Sequence, residues 1–405
     1  MPVWKHTLSA LLTTVLIVTI MAAPATAEKK SAFLELSAGD LTDFEIWEDS
    51  SFSPTGDIYY NRVDGLLFYL GLQYSSEARL HPRFSAMWGW PSSRDDFYYQ
   101  IDIEQPIHSQ DSFSFGVSLY EKTAWSLEDT ESITDFGNNM QAFWARIDDR
   151  DYYRQEGVTV FAQHKVTPEF RLRAEVRSHL LRSLSAHESV WTVFERDEEW
   201  RENPPLSTGV LAGAEELEGR KRMSSYVWSA EYDSRNEHRT EGLWARGIAE
   251  YGGRSAGGDY EFRKHTFEGE KLFSISSTQT LGVYGLWGIS DGDDFPSHKL
   301  FHLGGRGNLR GYEIKQFAGK DVIFGRAEYR VQVTEPLEMI YFVESGEVGY
   351  STSVPETDNI DGHKYDAGIG FRFGAPWDGW LGVDVARAIE EEADIQVYFT
   401  LLLTH

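Results

Sequence analysis

No cysteine occurs in the 405 residues, which excludes a disulfide framework. Stability must therefore come from a large core or a closed sheet. Basic residues are also scarce, with 38 Lys and Arg against 64 Asp and Glu and a formal net charge of -26. That balance excludes nucleic acid, whose phosphates need cationic partners, and suits a solvated surface. Long apolar runs are missing too. The one apolar run, Leu8 to Met21, covers about 14 residues and falls short of the roughly 20 needed for a spanning helix. No repeat of 20–50 residues and no low-complexity tract is evident.

Lys5 and His6 precede that run and Ala25-Thr26-Ala27 follows it, the pattern of a secretory signal peptide over residues 1–27. An uncleaved anchor is the alternative. Mean hydropathy is -0.42, yet the chain holds 13 Trp, 20 Tyr, 24 Phe and 36 Gly. A polar average with many aromatics and no cysteine fits a transmembrane β-barrel, in which half of each strand faces water.

Period-2 alternation supports this. From Asp64 to Ser75, Leu66, Phe68, Leu70, Leu72 and Tyr74 share one face. From Phe170 to Leu180, Phe170, Leu172, Ala174, Val176 and Leu180 oppose Arg171, Arg173, Glu175, Arg177 and His179. From Ile323 to Val333 the apolar side opposes Arg326, Glu328, Arg330 and Gln332, and Ile395 to Leu403 repeats the pattern. A soluble sandwich also alternates. Charges recurring on the polar face favour a wet lumen over a sandwich, as do Trp88, Trp90, Trp287, Trp377 and Trp380 near strand ends.

The pattern predicts an all-β, 16-stranded antiparallel transmembrane barrel. Its strands are 66–76, 83–90, 96–106, 112–123, 138–148, 156–166, 169–182, 222–234, 242–252, 258–273, 278–289, 322–333, 338–348, 364–374, 379–388 and 394–404. An even count puts both ends on the periplasmic side, so turns after even strands should be short. Thr167-Pro168, 334–337 and 374–378 are short, whereas 124–137 is too long for the pattern. The expected organisation is a signal peptide (1–27), an N-terminal periplasmic segment (28–62) and a barrel (63–405).

Four groups of residues invite a chemical reading. Gly305, Gly307 and Gly311 give G-x-G-x-x-x-G, which misses the dinucleotide fingerprint, and no helical pattern follows. Gly288-Ile289-Ser290-Asp291-Gly292 matches G-x-S-x-G, but a nucleophile elbow needs a strand-turn-helix and this run leaves a strand into a loop. Asp291, Asp293 and Asp294, and Asp358 with Asp361, lack calcium-loop spacing. His187 and Glu188 lack a second histidine, so no metal or cofactor is expected.

The run FHLGGRGNLRGYEIKQFAGKDVIFGRAEYRVQV, residues 301–333, resembles the sixth-loop signature of the BamA/TamA-type outer-membrane barrels, also called bacterial surface antigen barrels. The matching positions are Gly304-Gly305, Arg310-Gly311-Tyr312 and Glu328-Tyr329-Arg330. Glu344 and Gly346 fit the next strand, while Gly368, Gly370, Arg372 and Asp384 fit the last ones. Residues 60–72 are similar to the barrel start of members with little before it. The likeness is close over 301–405 and rests on strand count over 60–300.

It implies a sixth loop folded back into the lumen, with Arg310 meeting Glu344 on the inner wall. A guanidinium enclosed in a lumen needs a carboxylate partner. Gly304, Gly305, Gly307 and Gly311 would let the loop turn tightly, and Arg326, Glu328 and Arg330 would face the lumen. About 35 residues before the barrel are too few for the POTRA modules that family members usually carry, so a member lacking POTRA domains is expected.

The resemblance points to outer-membrane biogenesis or to protein or lipid translocation. A passive pore or structural barrel is the alternative, and Ser290 alone suggests an outer-membrane enzyme, which is not expected. Outer-membrane lipids, a second copy of the chain, and protein or lipid clients are the partners left open.

Overall fold

The computed structural model describes residues 52–74, 82–107, 112–125, 135–194, 199–208, 215–216, 221–236, 238–292, 295–349, 362–375, 379–389 and 393–403. Sixteen strands form one antiparallel sheet, paired in chain order. They are β1 (Phe52–Asn61), β2 (Gly65–Tyr74), β3 (Arg83–Pro91), β4 (Tyr98–Pro106), β5 (Phe113–Ala124), β6 (Tyr153–Lys165), β7 (Phe170–Ser183) and β8 (Lys221–Asp233). The second half comprises β9 (Gly242–Gly252), β10 (Phe262–Ser276), β11 (Gln279–Asp291), β12 (Asp321–Thr334), β13 (Leu337–Gly349), β14 (Lys364–Ala375), β15 (Gly379–Ala388) and β16 (Ile395–Leu403).

Successive side chains on a strand point to opposite faces, and here the outer face is the apolar one. On β13, Tyr341 and Val343 are 44% and 56% exposed, while Glu344, the next residue and on the opposite face, is 3% exposed. On β12, Ile323 and Val333 lie outside and Glu328 is buried. A soluble sandwich would bury the apolar set, so this inversion selects a membrane barrel. The sheet encloses a cavity of about 1140 Å³ lined by side chains from most of its strands.

Two sequence expectations fail, and they cancel in the strand count. Residues 138–148 are not a strand. Asp135–Ala145 is a helix, α1, which buries Asn138, Ala142 and Phe143 at helical spacing. It ends where Arg146 takes a left-handed φ of 60°. The first strand is likewise not 66–76. Phe52–Asn61 precedes it and pairs with β2 from Phe52↔Tyr74 to Asn61↔Gly65. The barrel therefore begins within the segment 28–62 rather than at residue 63. β1 escapes a propensity reading because Pro54, Gly56 and Asp57 are poor strand formers. Proline is tolerated there because β1 is an edge strand, where a missing N–H need not break a ladder.

This shift of frame also removes the anomalous turn. The connection 125–152 follows an odd strand and shares its rim with the other long connections, 184–220 and 292–320. The short turns, 166–169, 277–278 and 335–336, lie at the opposite rim. One aromatic is misassigned as well. Trp88, Trp90 and Trp287 point outward, but Trp380 lines the cavity, because Leu381 and Val385 take the outer positions of β15. Residues 1–51 and Trp377 lie outside the described residues.

Candidate functional site

The connection between β11 and β12 is the sixth loop on the long-loop rim, and it turns inward. Phe301–Leu303 pairs with Phe317–Gly319 as a short hairpin, in the register Phe301↔Gly319 and Leu303↔Phe317. Between its arms, Gly304 and Gly305 adopt φ of 107° and 106°, a region that side-chain-bearing residues rarely enter. The turn is held by Asn308, whose Oδ1 accepts the Gly304 N–H at 2.9 Å and whose Nδ2 donates to the His302 carbonyl at 3.2 Å. Leu303, Leu309, Tyr312 and Phe317 then pack with Val322, Phe324 and Val348 of the wall. Full burial of one such side chain stabilises by about 1.5–3 kcal/mol, so this cluster anchors the loop before any charge is counted.

Four successive strands each present one buried carboxylate to it. These are Glu328 on β12, Glu344 on β13, Asp366 on β14 and Asp384 on β15. Arg310, 2% exposed, enters among them. Its backbone N–H donates to Glu344 Oε2 at 2.7 Å, its Nε to Glu344 Oε1 at 3.1 Å and its Nη2 to Glu328 Oε1 at 2.8 Å. Nη1 lies 3.6 Å from Asp384 Oδ2, and the guanidinium carbon sits 3.4 Å from the centroid of the Phe342 ring. A planar fork can engage several carboxylates in this way; a lysine could not.

The neighbouring residues fix the geometry. The Gly311 N–H donates to Asp366 Oδ2 at 2.9 Å, and a Cβ on Gly311 would stand 2.4 Å from the Ala388 nitrogen. Only glycine fits so close to the wall. Tyr312 donates through its hydroxyl to the Tyr365 carbonyl at 3.3 Å, and its own carbonyl accepts the Tyr398 hydroxyl at 2.7 Å. The Gly307 carbonyl accepts Arg326 Nη1 at 3.1 Å. Arg326, Glu328 and Arg330 all line the cavity, with Arg330 Nη2 2.7 Å and Arg326 Nε 3.4 Å from Glu328.

Asp366 and the strap after α1 carry no motif that singles them out in the sequence. The run Asp148-Asp149-Arg150-Asp151 is the hub of that strap. Asp148 pairs with Arg62 of the β1–β2 turn at 3.3 Å, Asp149 with Arg306 of the sixth loop at 3.0 Å, and Asp151 with Lys315 and Arg201 at 2.6 Å each. Burial alone would raise the Asp151 carboxyl, but Lys315, Arg201 and Arg62 outweigh it and hold it below the usual carboxylate range. Three carboxylates and a basic residue in four positions were the available signal, since such a run seldom sits in a strand facing lipid.

The ends of the sheet form the second feature of the site. Among the described residues, β1 pairs only with β2 and β16 only with β15, and no strand pairing joins the two edges. α1 lies across this seam. Tyr60 of β1 packs its ring on Phe143 at 5.2 Å and donates to the Trp191 carbonyl. Asn139 Nδ2 also donates to the Ile58 carbonyl of β1 at 3.3 Å, and on the other side of the seam Gln141 Nε2 donates to the Phe399 carbonyl of β16 at 2.6 Å.

The remaining sequence candidates find ordinary places. Ser290 is buried at the end of β11 and gives its hydroxyl to the Lys320 carbonyl, far from a strand–helix elbow. His187 Nδ1 contacts the Ser189 hydroxyl at 2.7 Å. Asp291 accepts the Gly292 N–H, while Asp293, Asp294, Asp358 and Asp361 lie outside the described residues. Among the described residues, no group of three or more His, Asp or Glu is placed to hold a metal ion.

The geometry can be set beside known proteins. BamA from Haemophilus ducreyi lacking POTRA domains 1-3 superposes with a TM-score of 0.59 at 12% identity, over 87% of this chain and 69% of that one. CdiB from Acinetobacter baumannii gives 0.48 at 10% identity, over 87% of this chain and 60% of that one. OpdQ from Pseudomonas aeruginosa gives 0.41 at 10% identity, over 87% and 96%. No curated protein matches the chain. The Omp85 superfamily domain matches residues 54–401, from the third residue of β1 into the last strand, and on that match the chain belongs to the Omp85 superfamily.

Proposed function

We propose that this barrel resides in the bacterial outer membrane, long loops outward, and serves membrane biogenesis by passing protein or lipid clients through the β1–β16 seam. The observation that carries the reading is the seam itself. Barrels ordinarily close because unpaired edge groups in hydrocarbon are costly. Among the described residues, no strand ladder joins the two edges, and a helix and a loop supply a few side-chain hydrogen bonds in its place. An edge held that weakly is one that another strand or a lipid can enter. The test is folding of a urea-denatured outer-membrane barrel into liposomes containing this protein. Faster folding than in empty liposomes supports the reading, and an unchanged rate contradicts it.

The cavity favours a second reading, a passive pore, because its lining is polar and charged. Planar-bilayer conductance of the intact chain and of a 303–312 deletion separates the two. A loop-plugged barrel conducts little until the loop is removed, whereas a pore conducts steadily in both forms. No enzymatic role is proposed, since the Ser290 hydroxyl is engaged by a backbone carbonyl.

A further inference from the structure

Strand edges expose alternating N–H and C=O groups, and direct pairing of β1 with β16 would satisfy them along the whole seam. The structure satisfies them differently. The Phe399 carbonyl, midway along β16, receives two donors, Gln141 Nε2 from α1 and Arg306 Nη1 from the sixth loop. A carbonyl has two lone pairs, so this acceptor is filled and offers nothing to an incoming strand. Across the seam, Asn139 Nδ2 donates to the Ile58 carbonyl at 3.3 Å and takes up one of its two lone pairs. α1 thus occupies pairing positions on both edges through side chains rather than through its own backbone, whose groups are used within the helix.

α1 is also tethered to the β1–β2 turn and, through the strap that follows it, to the sixth loop. Asn138 Nδ2 donates to Asp148 Oδ1 at 3.1 Å, and Asp148 holds Arg62. One residue further on, Asp149 pairs with Arg306, the same side chain that caps Phe399. Asp151 pairs with Lys315 of the same loop. The strap after α1 therefore ties the seam to the loop that Arg310 pins inside the lumen. Withdrawal of Arg306 would remove a cap on β16 and a tether of α1 in one movement.

We propose that α1 is a releasable latch that blocks backbone pairing at the seam and is coupled to the sixth loop through Asp149 and Arg306. The latch rests on the reading of the seam as the working edge, and its occupant on release is the backbone of an extended strand. Side-chain caps suit this role because each is a single net hydrogen bond, whereas a strand ladder closes many at once.

Because the chain has no cysteine, spin labels can be placed cleanly. Ile147→Cys, just beyond α1, and Val397→Cys on β16 put labels on two exposed side chains that take no part in the latch. Pulsed electron–electron distance measurements in the full chain should give one narrow distribution. With Asn139→Ala and Gln141→Ala added, a second, longer component should appear, the open population rising about tenfold for the loss of two such hydrogen bonds. An unchanged narrow distribution would overturn the latch and leave α1 as filling. Failure of the double variant to fold would overturn it as well, because a releasable latch must leave a stable barrel. Client folding in liposomes is read separately. A mobile α1 without client folding removes the proposed function alone, and client folding with an immobile α1 removes the latch alone.

Discussion

Replacing Arg310 by alanine takes one cation from four buried carboxylates, and the cost depends on which of them can turn elsewhere. Glu328 keeps Arg330 at 2.7 Å and Asp384 keeps Arg372 at 2.7 Å. Glu344 loses Nε and Nη2 of Arg310, retains the backbone N–H of residue 310, and has Arg326 only at 4.0 Å. The uncompensated charge therefore settles on Glu344. Breaking a buried pair from one side costs about 3–5 kcal/mol, and the retained backbone hydrogen bond places Arg310→Ala near 3 kcal/mol. Glu344→Gln leaves Arg310 with Glu328 and Asp384, so about 1–2 kcal/mol is expected. The double variant should cost less than the two singles together, with a coupling of about 1–3 kcal/mol. Urea unfolding followed by tryptophan fluorescence in vesicles, with heat-modifiability on gels, measures all three. A loss under about 0.5 kcal/mol for Arg310→Ala, or additivity of the pair, would refute the lock.

Gly311→Ala should destabilise by 1–3 kcal/mol or more, since its Cβ would stand 2.4 Å from backbone, whereas Gly247→Ala, with its nearest neighbour at 3.8 Å, should stay within about 0.5 kcal/mol in the same unfolding assay. Burial, with Lys299 adding to it, holds the His298 imidazole of the sixth loop down to about 3. The unfolded chain then binds the extra proton first, so stability should fall from about pH 6.5 toward 3, by up to about 1.4 kcal/mol per unit. His298→Asn should flatten that slope in urea melts across the range. Among the described residues, thirteen Lys and Arg line the cavity against eight Asp and Glu, and the 303–312 deletion removes Arg306 and Arg310 to leave eleven against eight, so it should give a reversal potential of weakly anion-preferring sign despite the chain's charge of -26. A cation-preferring potential would show that surface charge, not the lining, governs the lumen.

Much of this architecture is readable from period-2 alternation, because a barrel wall sorts Ile323 from Arg326 and Val343 from Glu344 along each strand. The loop is readable because Gly304-Gly305, Arg310-Gly311-Tyr312 and Glu328-Tyr329-Arg330 resemble the sixth-loop signature of the BamA/TamA-type barrels, a resemblance that implies an inward fold and an Arg310–Glu344 pair. β1 is hidden by Pro54, Gly56 and Asp57, residues that only an edge strand tolerates, and that same oddity marks where the seam lies. α1 is misread because Asn138, Ala142 and Phe143 show helical spacing over too few turns to outweigh neighbouring alternation. Asp366 and the Asp148–Asp151 hub depend on partners 50 to 164 residues away in sequence, which no local pattern conveys.

The central claim is that β1 and β16 are not joined by a backbone ladder. Amide hydrogen exchange in lipid nanodiscs tests it most directly. Amides of β16 that point into the seam should exchange at least tenfold faster than those of β11 and β12, which pair on both sides. Equal protection of β16 and β12 would mean that the barrel is closed by strand pairing, and the account of the seam would fall.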